Sequence, residues 1–204
     1  MAGAETRERI LRATVRTLAD HGYARTTARA IAATGGFTAG VIYYHFADLD
    51  DLFVAAALFT SGSRLQRYRD ETEAVTSAVE LITRLRRLYV EDTETRHVAA
   101  VQELAAAATG SPKLAAQLRI ETARWQDLAE TVIGGFAVRS PFARLVPVRE
   151  LAATAVATYL GVEMLSHLNA DRQAPAALFE AAERAAILYD SITPGTDRRD
   201  HRST

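Results

Sequence analysis

The sequence lacks cysteine altogether and contains few residues that break helices. Without cysteine there is no disulfide, no thiolate metal site and no cysteine nucleophile. The 204 residues include 40 alanines but only 11 glycines and 5 prolines. No long window shows the alternation of β-branched residues that is typical of strands. The composition therefore predicts an all-α protein.

The chain also has no strong excess of either charge and no long apolar run. Its 24 basic and 25 acidic residues give a net charge of -1, so any contact with nucleic acid requires a local basic region. The longest stretch without a charged residue, residues 30–47, contains three glycines and a histidine and is not a membrane span. The N-terminus shows no secretory signal. We therefore expect a cytoplasmic protein without a membrane partner.

The basic charge that is present is concentrated near the N-terminus. Residues 1–46 carry six arginines and three acidic residues, a net charge of +3, and the rest of the chain has a net charge of -4. Short helices are also predicted in this first part, and long helices after it. We therefore predict three regions: a basic region of short helices at 1–47, a region of long helices at 48–193, and a disordered tail at 194–204.

Apolar periodicity, capping residues and helix breakers predict the individual helices. The predicted ranges are 5–20, 28–34, 38–45, 48–70, 74–91, 95–108, 112–133, 148–169 and 174–192. Ser111 and Pro112 form a helix start in which proline occupies the first position. Gly134 and Gly135 predict that the preceding helix ends at residue 133.

The segment 26–46 has the pattern of two short helices joined by a glycine-containing turn, TTARAIAATGGFTAGVIYYHF. Thr27 and Thr38 are placed to cap the two helices. The apolar residues predicted to hold the helices together are Ile31, Phe37, Ile42 and Phe46. This leaves Ala39, Gly40, Tyr43 and Tyr44 facing outward on the second helix.

This segment resembles the DNA-binding signature of the tetracycline-repressor (TetR) family, over about residues 7–53. The shared features are the threonine before the first helix, Ile-Ala within it, glycine at the turn, threonine at the next cap, glycine two residues later, the Ile-Tyr pair and the closing phenylalanine. The resemblance implies an N-terminal three-helix DNA-binding domain and a C-terminal ligand-binding and dimerisation domain. Many members have a lysine where this chain has Leu49, so one expected phosphate contact is absent.

The predicted DNA contacts combine helix N-termini, hydroxyl groups and nearby arginines. Free amides at a helix N-terminus attract phosphate, and Gly40 permits close approach to DNA. The segment between Thr38 and His45 has no Arg, Lys, Asn or Gln, the side chains that form paired bonds with purines. We therefore expect specificity to depend partly on DNA shape. The predicted DNA-binding residues are Arg25, Thr27, Arg29, Thr38, Ala39, Gly40, Tyr43, Tyr44 and His45.

A candidate ligand site is indicated in the long helices. Within 112–133, apolar residues recur every three or four positions, and Glu121 falls on this stripe near Trp125, the one tryptophan of the chain. A carboxylate there needs a partner or a ligand. Tyr68 and Tyr89 add amphipathic surface from neighbouring helices. Two interpretations are equally weighted: these four residues bind a small molecule, or Glu121 lies at the edge of a packed core and is satisfied by arginine or water.

The last two predicted helices have broad apolar faces with small residues, which let helices approach closely. The residues predicted for dimerisation are Ala152, Ala155, Tyr159, Gly161, Val162, Leu178, Ala182 and Ala185. A two-fold dimer with a four-helix bundle resembles the usual arrangement of the family and would place two recognition helices in successive major grooves. Alternatively, these helices only cover the core of one chain.

Together these features predict a dimeric transcriptional regulator, a repressor that binds a pseudo-palindromic DNA operator and is released by a small-molecule effector. The effector would shift the population of conformers, with helix 48–70 linking the head to the ligand site. The five histidines are scattered and no familiar catalytic motif is present, so we expect no enzyme activity, cofactor or metal site. The alternatives are a small-molecule-binding protein or a protein-interaction module with a non-functional DNA-binding head.

Overall fold

The computed structural model describes residues 2–169 and 173–193. Within these ranges every regular element is helical, which confirms the all-α prediction. The α-helices are α1 (Ala2–His21), α2 (Ala28–Gly35), α3 (Ala39–His45), α4 (Leu49–Glu73), α5 (Ala78–Glu94), α6 (His97–Ala107), α7 (Pro112–Ala137), α8 (Val148–Asn169) and α9 (Gln173–Ile192). Short 3₁₀ turns lie at Tyr23–Arg25 and Ala143–Leu145. The tail predicted at 194–204 lies outside the described residues.

Side-chain caps define the starts of four of the described helices. Thr27, Asp48, Ser77 and Ser111 each accept a hydrogen bond from the backbone amide three residues later. The cap at Ser77 explains why α5 begins at residue 78 and not at 74 as predicted. None of the described helices is long and apolar enough to cross a membrane.

The end of α7 differs from the prediction, because the helix continues through both glycines to Ala137. Glycine inside a helix costs only about 1 kcal/mol relative to alanine, and α7 packs extensively against α8 and α4. Gly134 faces the first residue of α8: a Cβ at this position would lie 3.8 Å from Cγ1 of Val148. The packing of the last turn of α7 therefore outweighs the weak helix preference of glycine.

The first four helices share a core that continues into α6 and α7. Ile10, Ile31, Ile42 and Leu52 are fully buried in it, and the same cluster reaches Leu104 of α6. The N-terminal helices, here called the head (residues 2–46), are therefore packed directly on the longer helices.

Polar contacts attach the head to α6. A side-chain oxygen of Glu103 accepts a hydrogen bond from the backbone amide of Tyr23 at 2.7 Å. Arg96 forms an ion pair with Asp20 and donates to the carbonyl of Ala19 at 2.6 Å. These contacts fix the end of α1 and the following turn against α6.

A second group of polar contacts joins the start of α4 to the start of α7. Ser111 donates to Asp50 at 3.1 Å, and Lys113 pairs with Asp51. The hydrogen bond to Asp51 raises the pKa of Lys113 above its ordinary value. The start of α4, directly after the head, is thus anchored to the other helices.

Candidate DNA-binding surface and effector cavity

The second and third helices form the predicted helix-turn-helix. Gly36 lies in the left-handed region with φ 65° and ends α2, a conformation that glycine adopts readily. Ile31 and Ile42 are fully buried and Phe46 nearly so, which holds α3 against the other helices of the head. The predicted core residue Phe37 is only partly buried, and the guanidinium of Arg9 lies 5.3 Å from its ring centroid.

The outer surface of α3 is formed by aromatic and small residues. Tyr43 is 56% exposed and Tyr44 is 86% exposed. A Cβ added at Gly40 would meet only the hydroxyl of Thr38, at 4.0 Å. The Thr38 hydroxyl makes no capping bond to α3. The outer surface of α3 is therefore open at Gly40 and exposes the side chains of Tyr43 and Tyr44.

The remaining predicted DNA-binding residues also lie at the surface of the head. Arg25, Thr27 and Arg29 are exposed, and Ala39 and His45 are half-buried. Arg25 donates to the carbonyl of His21 at 2.9 Å, which fixes its guanidinium beside the turn before α2.

The acidic residues at the start of α4 are engaged by contacts within the chain. Leu49, at the position of the family lysine, is half-buried against the core. Asp48 caps its own helix, and Asp50 and Asp51 are engaged by α7 as described above. The guanidinium of Arg7, which was not in the predicted set, lies 5.0 Å from the ring centroid of Phe46. This arginine places a cation at the end of α3.

A cavity of about 500 Å³ lies between α4, α5, α7, α8 and α9. Its walls are mainly aliphatic, and the four residues predicted for ligand binding, Tyr68, Tyr89, Glu121 and Trp125, all line it. The rings of Tyr68 and Trp125 meet edge to face at 5.0 Å, and the indole nitrogen donates to Ser61 at 3.1 Å. Tyr89 contacts the ring of Tyr159 at 5.8 Å.

A buried ionic network forms one wall of the cavity. Asp92 is fully buried and accepts hydrogen bonds from Arg64 at 2.5 Å, Arg67 at 2.7 Å, Tyr68 at 2.8 Å and Tyr159 at 3.2 Å. Burial and the neighbouring Asp92 raise the pKa of Tyr68 above its ordinary value. Burial likewise raises the pKa of Tyr159. Both phenols are therefore neutral donors at physiological pH.

Arg64 and Asp92 were not among the predicted site residues, although the sequence pattern of α5 indicated that Asp92 is buried. Asp92 continues the apolar stripe of Leu85 and Leu88 on α5, as Glu121 interrupts the stripe of α7. Burial opposes the charge of Arg64, but Tyr159 and Asp92 together raise the pKa of its guanidinium. The guanidinium of Arg64 is thus charged although it is buried.

Glu121 is 5% exposed and lies in the cavity wall. Its Oε1 accepts hydrogen bonds from Gln117 at 2.9 Å and Arg124 at 3.4 Å. Its Oε2 is buried and receives no hydrogen bond from the described part of the chain. One oxygen of this carboxylate is therefore satisfied as in a packed core, and the other has no donor among the described residues.

The residues predicted for dimerisation divide between the cavity and the surface. Ala155, Tyr159, Val162, Leu178 and Ala182 line the cavity, Ala152 is buried, Gly161 is half-buried and Ala185 is exposed. Large apolar side chains of α8 and α9 that are exposed include Leu151, Met164, Leu165, Ile187, Leu188 and Ile192. These two helices therefore have one apolar side towards the cavity and further apolar groups at the surface.

The fold and this surface define a class: a helix-turn-helix protein whose longer helices enclose a cavity. Residues 10–56 match the family described as bacterial regulatory proteins, tetR family. The match covers the helix-turn-helix, so the head and the start of α4 are similar to the N-terminal region of tetR-family regulatory proteins. No curated protein matches its sequence closely enough to add a named relative.

Solved structures show the same fold over nearly the whole chain. A protein from Rhodococcus sp. described as a TetR-family transcriptional regulator is 25% identical, with a TM-score of 0.72 over 92% of this chain and 98% of that one. The fatty acid degradation regulator FadR from Bacillus halodurans is 18% identical, with a TM-score of 0.74 over 96% and 97%. The multidrug binding protein EbrR, solved with imidazole, is 23% identical, with a TM-score of 0.60 over 95% and 98%.

Proposed function

We propose that this protein is a dimeric repressor that binds a pseudo-palindromic operator and releases it when a small molecule enters the cavity. The observation that carries the proposal is the exposed outer surface of α3, with Gly40, Tyr43 and Tyr44, on a head that is packed directly against the helices enclosing a cavity. FadR and EbrR, named for regulation of fatty acid degradation and for multidrug binding, share this fold and support a ligand-responsive role. The cytoplasm is the compartment in which this function would operate.

In this proposal α3 enters the major groove and the residues around it bind the phosphates. Arg25, Arg29 and Thr27 lie at the turn and first residues of α2, where a phosphate also meets the free amides of the helix. The hydroxyl groups of Thr38 and Tyr43 add uncharged hydrogen-bond donors to this surface. Because α3 lacks the side chains that read guanine, shape and thymine methyl groups contribute to specificity.

Selection of binding sites from random duplex DNA tests the proposal. We expect an enriched sequence with two related half-sites, and affinity that falls with a slope of about -4 or steeper in a plot of log K against log salt. The control is a duplex of scrambled sequence. Failure to enrich any site would contradict operator binding and favour a small-molecule-binding protein, and a site dominated by guanine contacts would contradict the role given to α3.

We infer that the dimer face includes the exposed apolar part of α9. Leu188 is 66% exposed, and the Leu188→Asp change would place a charge in the interface. We expect this variant to be monomeric by sedimentation at micromolar concentration and to bind the operator at least tenfold more weakly. The Val90→Asp change, at a 48% exposed residue of α5, is the matched control and should stay dimeric. A dimeric Leu188→Asp protein would contradict this assignment.

In this proposal, effector binding affects the position of the head through two helices, α4 and α6. Helix α4 contributes Ser61, Arg64 and Tyr68 to the cavity and begins three residues after α3. Helix α6 holds the end of α1 through Glu103. A ligand that prefers one arrangement of these helices changes the separation of the two heads in the dimer, and so the affinity for DNA.

A further inference from the structure

Two side chains that line the cavity each have one buried polar atom without a hydrogen-bond partner among the described residues, Nε of Arg64 and Oε2 of Glu121. Both hydrogen bonds to the Glu121 carboxylate go to Oε1, from Gln117 and Arg124. The buried Oε2 receives none from the described residues. A carboxylate oxygen withdrawn from water without a donor is unfavourable. A ligand that brings a donor to Oε2 therefore gains binding free energy.

The charge balance of the cavity wall selects the kind of donor. The charge of Asp92 is matched by Arg64 at 2.5 Å, and the second arginine on it, Arg67, is itself paired with Glu91 at 3.3 Å. This cluster of two arginines and two carboxylates is neutral. In contrast, the arginine beside Glu121 is 53% exposed and reaches only Oε1, at 3.4 Å. Glu121 is therefore the acidic residue of the cavity lining, and its only ion pair within the described part of the chain is long and joins an exposed arginine.

The remaining walls of the cavity favour a cation that also has a large apolar part. Trp125 lies one turn after Glu121 on α7, and its ring contacts Tyr68 at 5.0 Å. Aromatic rings attract cations. The other walls are largely aliphatic, and a volume of about 500 Å³ is within the range that holds drug-sized molecules.

We propose that the effector is an amphipathic organic cation whose ammonium group donates to Oε2 of Glu121 while its apolar body fills the cavity. This inference rests on the proposed effector-binding function and adds the ligand class and the anchoring residue. An anionic ligand is the competing class, since Arg64 also lines the cavity. The Nε of Arg64 has no partner among the described residues, but the guanidinium charge is matched by Asp92, and its Nη2 already donates to Asp92 and Tyr159.

The first test compares three ligands of similar size on the full-length wild-type protein. The probes are the diphenylpropyl-dimethylammonium cation, neutral diphenylpropanol and the diphenylbutanoate anion. Binding is followed by calorimetry and by the fluorescence of Trp125, the single tryptophan of the chain. We expect the cation to bind at least tenfold more tightly than either other probe. Equal or tighter binding of the alcohol or the anion, or no binding of the cation, would overturn the inference.

The second test removes the anchoring charge. We expect Glu121→Gln to bind the cation at least tenfold more weakly and the alcohol with unchanged affinity. Glu130→Gln removes the same charge from an exposed position of α7 and should bind both probes as the wild type does. A Glu121→Gln protein with wild-type affinity for the cation would overturn the inference. If this variant does not fold, the comparison of the three probes on the wild-type protein decides whether the inference holds.

Operator binding is measured separately on the same preparations. Loss of the cation preference with intact operator binding would overturn only the ligand class. Absence of operator binding with a clear cation preference would overturn the repressor proposal and leave the Glu121 site in place.

Discussion

Replacing Asp92 with asparagine is expected to lower the free energy of unfolding by about 3–5 kcal/mol, because it removes the counterion of a buried arginine. Asp92 is fully buried, the side chain of Arg64 is 9% exposed, and four donors converge on this one carboxylate. Asparagine has nearly the same shape but no charge. For a chain of this length the change corresponds to a decrease in Tm of about 10 °C.

The matched control for this variant is Glu91→Gln, which removes a charge from the neighbouring residue. Glu91 pairs with Arg67 at 3.3 Å, but both side chains are about 40% exposed. Glu91→Gln should therefore cost less than about 1 kcal/mol. Urea denaturation followed by circular dichroism, at equal protein concentrations, compares the two variants. An Asp92→Asn protein within about 1 kcal/mol of the wild type would show that the network contributes little to stability.

Replacing Tyr43 with alanine is expected to weaken operator binding by about 30-fold or more while leaving dimerisation intact. The side chain is 56% exposed on the outer surface of α3, so its removal leaves the core of the head unchanged. A hydrogen bond from a protein hydroxyl to DNA contributes about 1–1.5 kcal/mol. Because a two-fold dimer uses the residue twice, the two losses add on one operator.

The Tyr43→Phe variant separates the contribution of the hydroxyl from that of the ring. We expect it to lose most of the same affinity if the hydroxyl donates to phosphate, and little if the ring packs on the sugar or bases. Fluorescence anisotropy with the selected operator measures both variants, and sedimentation checks that they remain dimers. Wild-type affinity for the Tyr43→Ala protein would contradict the placement of α3 in the groove.

The head could be predicted to within one residue at most boundaries because its signals are local. The Thr27 cap and the left-handed Gly36 act within four residues of the positions that they define. The burial of Glu121 follows from spacing along a single helix, and it was also predicted. These features depend on neighbouring residues of the sequence and need no knowledge of how the helices pack.

The incorrect or missed features depend on residues that are far apart in the sequence. Gly134 does not end α7, because contacts with α8 stabilise the last turn. The polar contacts of Tyr159, which was predicted for dimerisation, could not be read from the sequence, because its hydroxyl bonds to groups 67 and 95 residues away. Apolar periodicity shows that α8 has an apolar side, but it does not show whether that side faces the cavity or a partner.

Polar contacts fix the chain on both sides of the helix-turn-helix. Before it, Glu103 and Arg96 join α6 to the end of α1 and the following turn, and after it, Ser111 and Lys113 join α7 to the start of α4. A displacement of α6 or α7 would therefore be transmitted to one end of the helix-turn-helix, so that the recognition helix cannot shift independently of the longer helices.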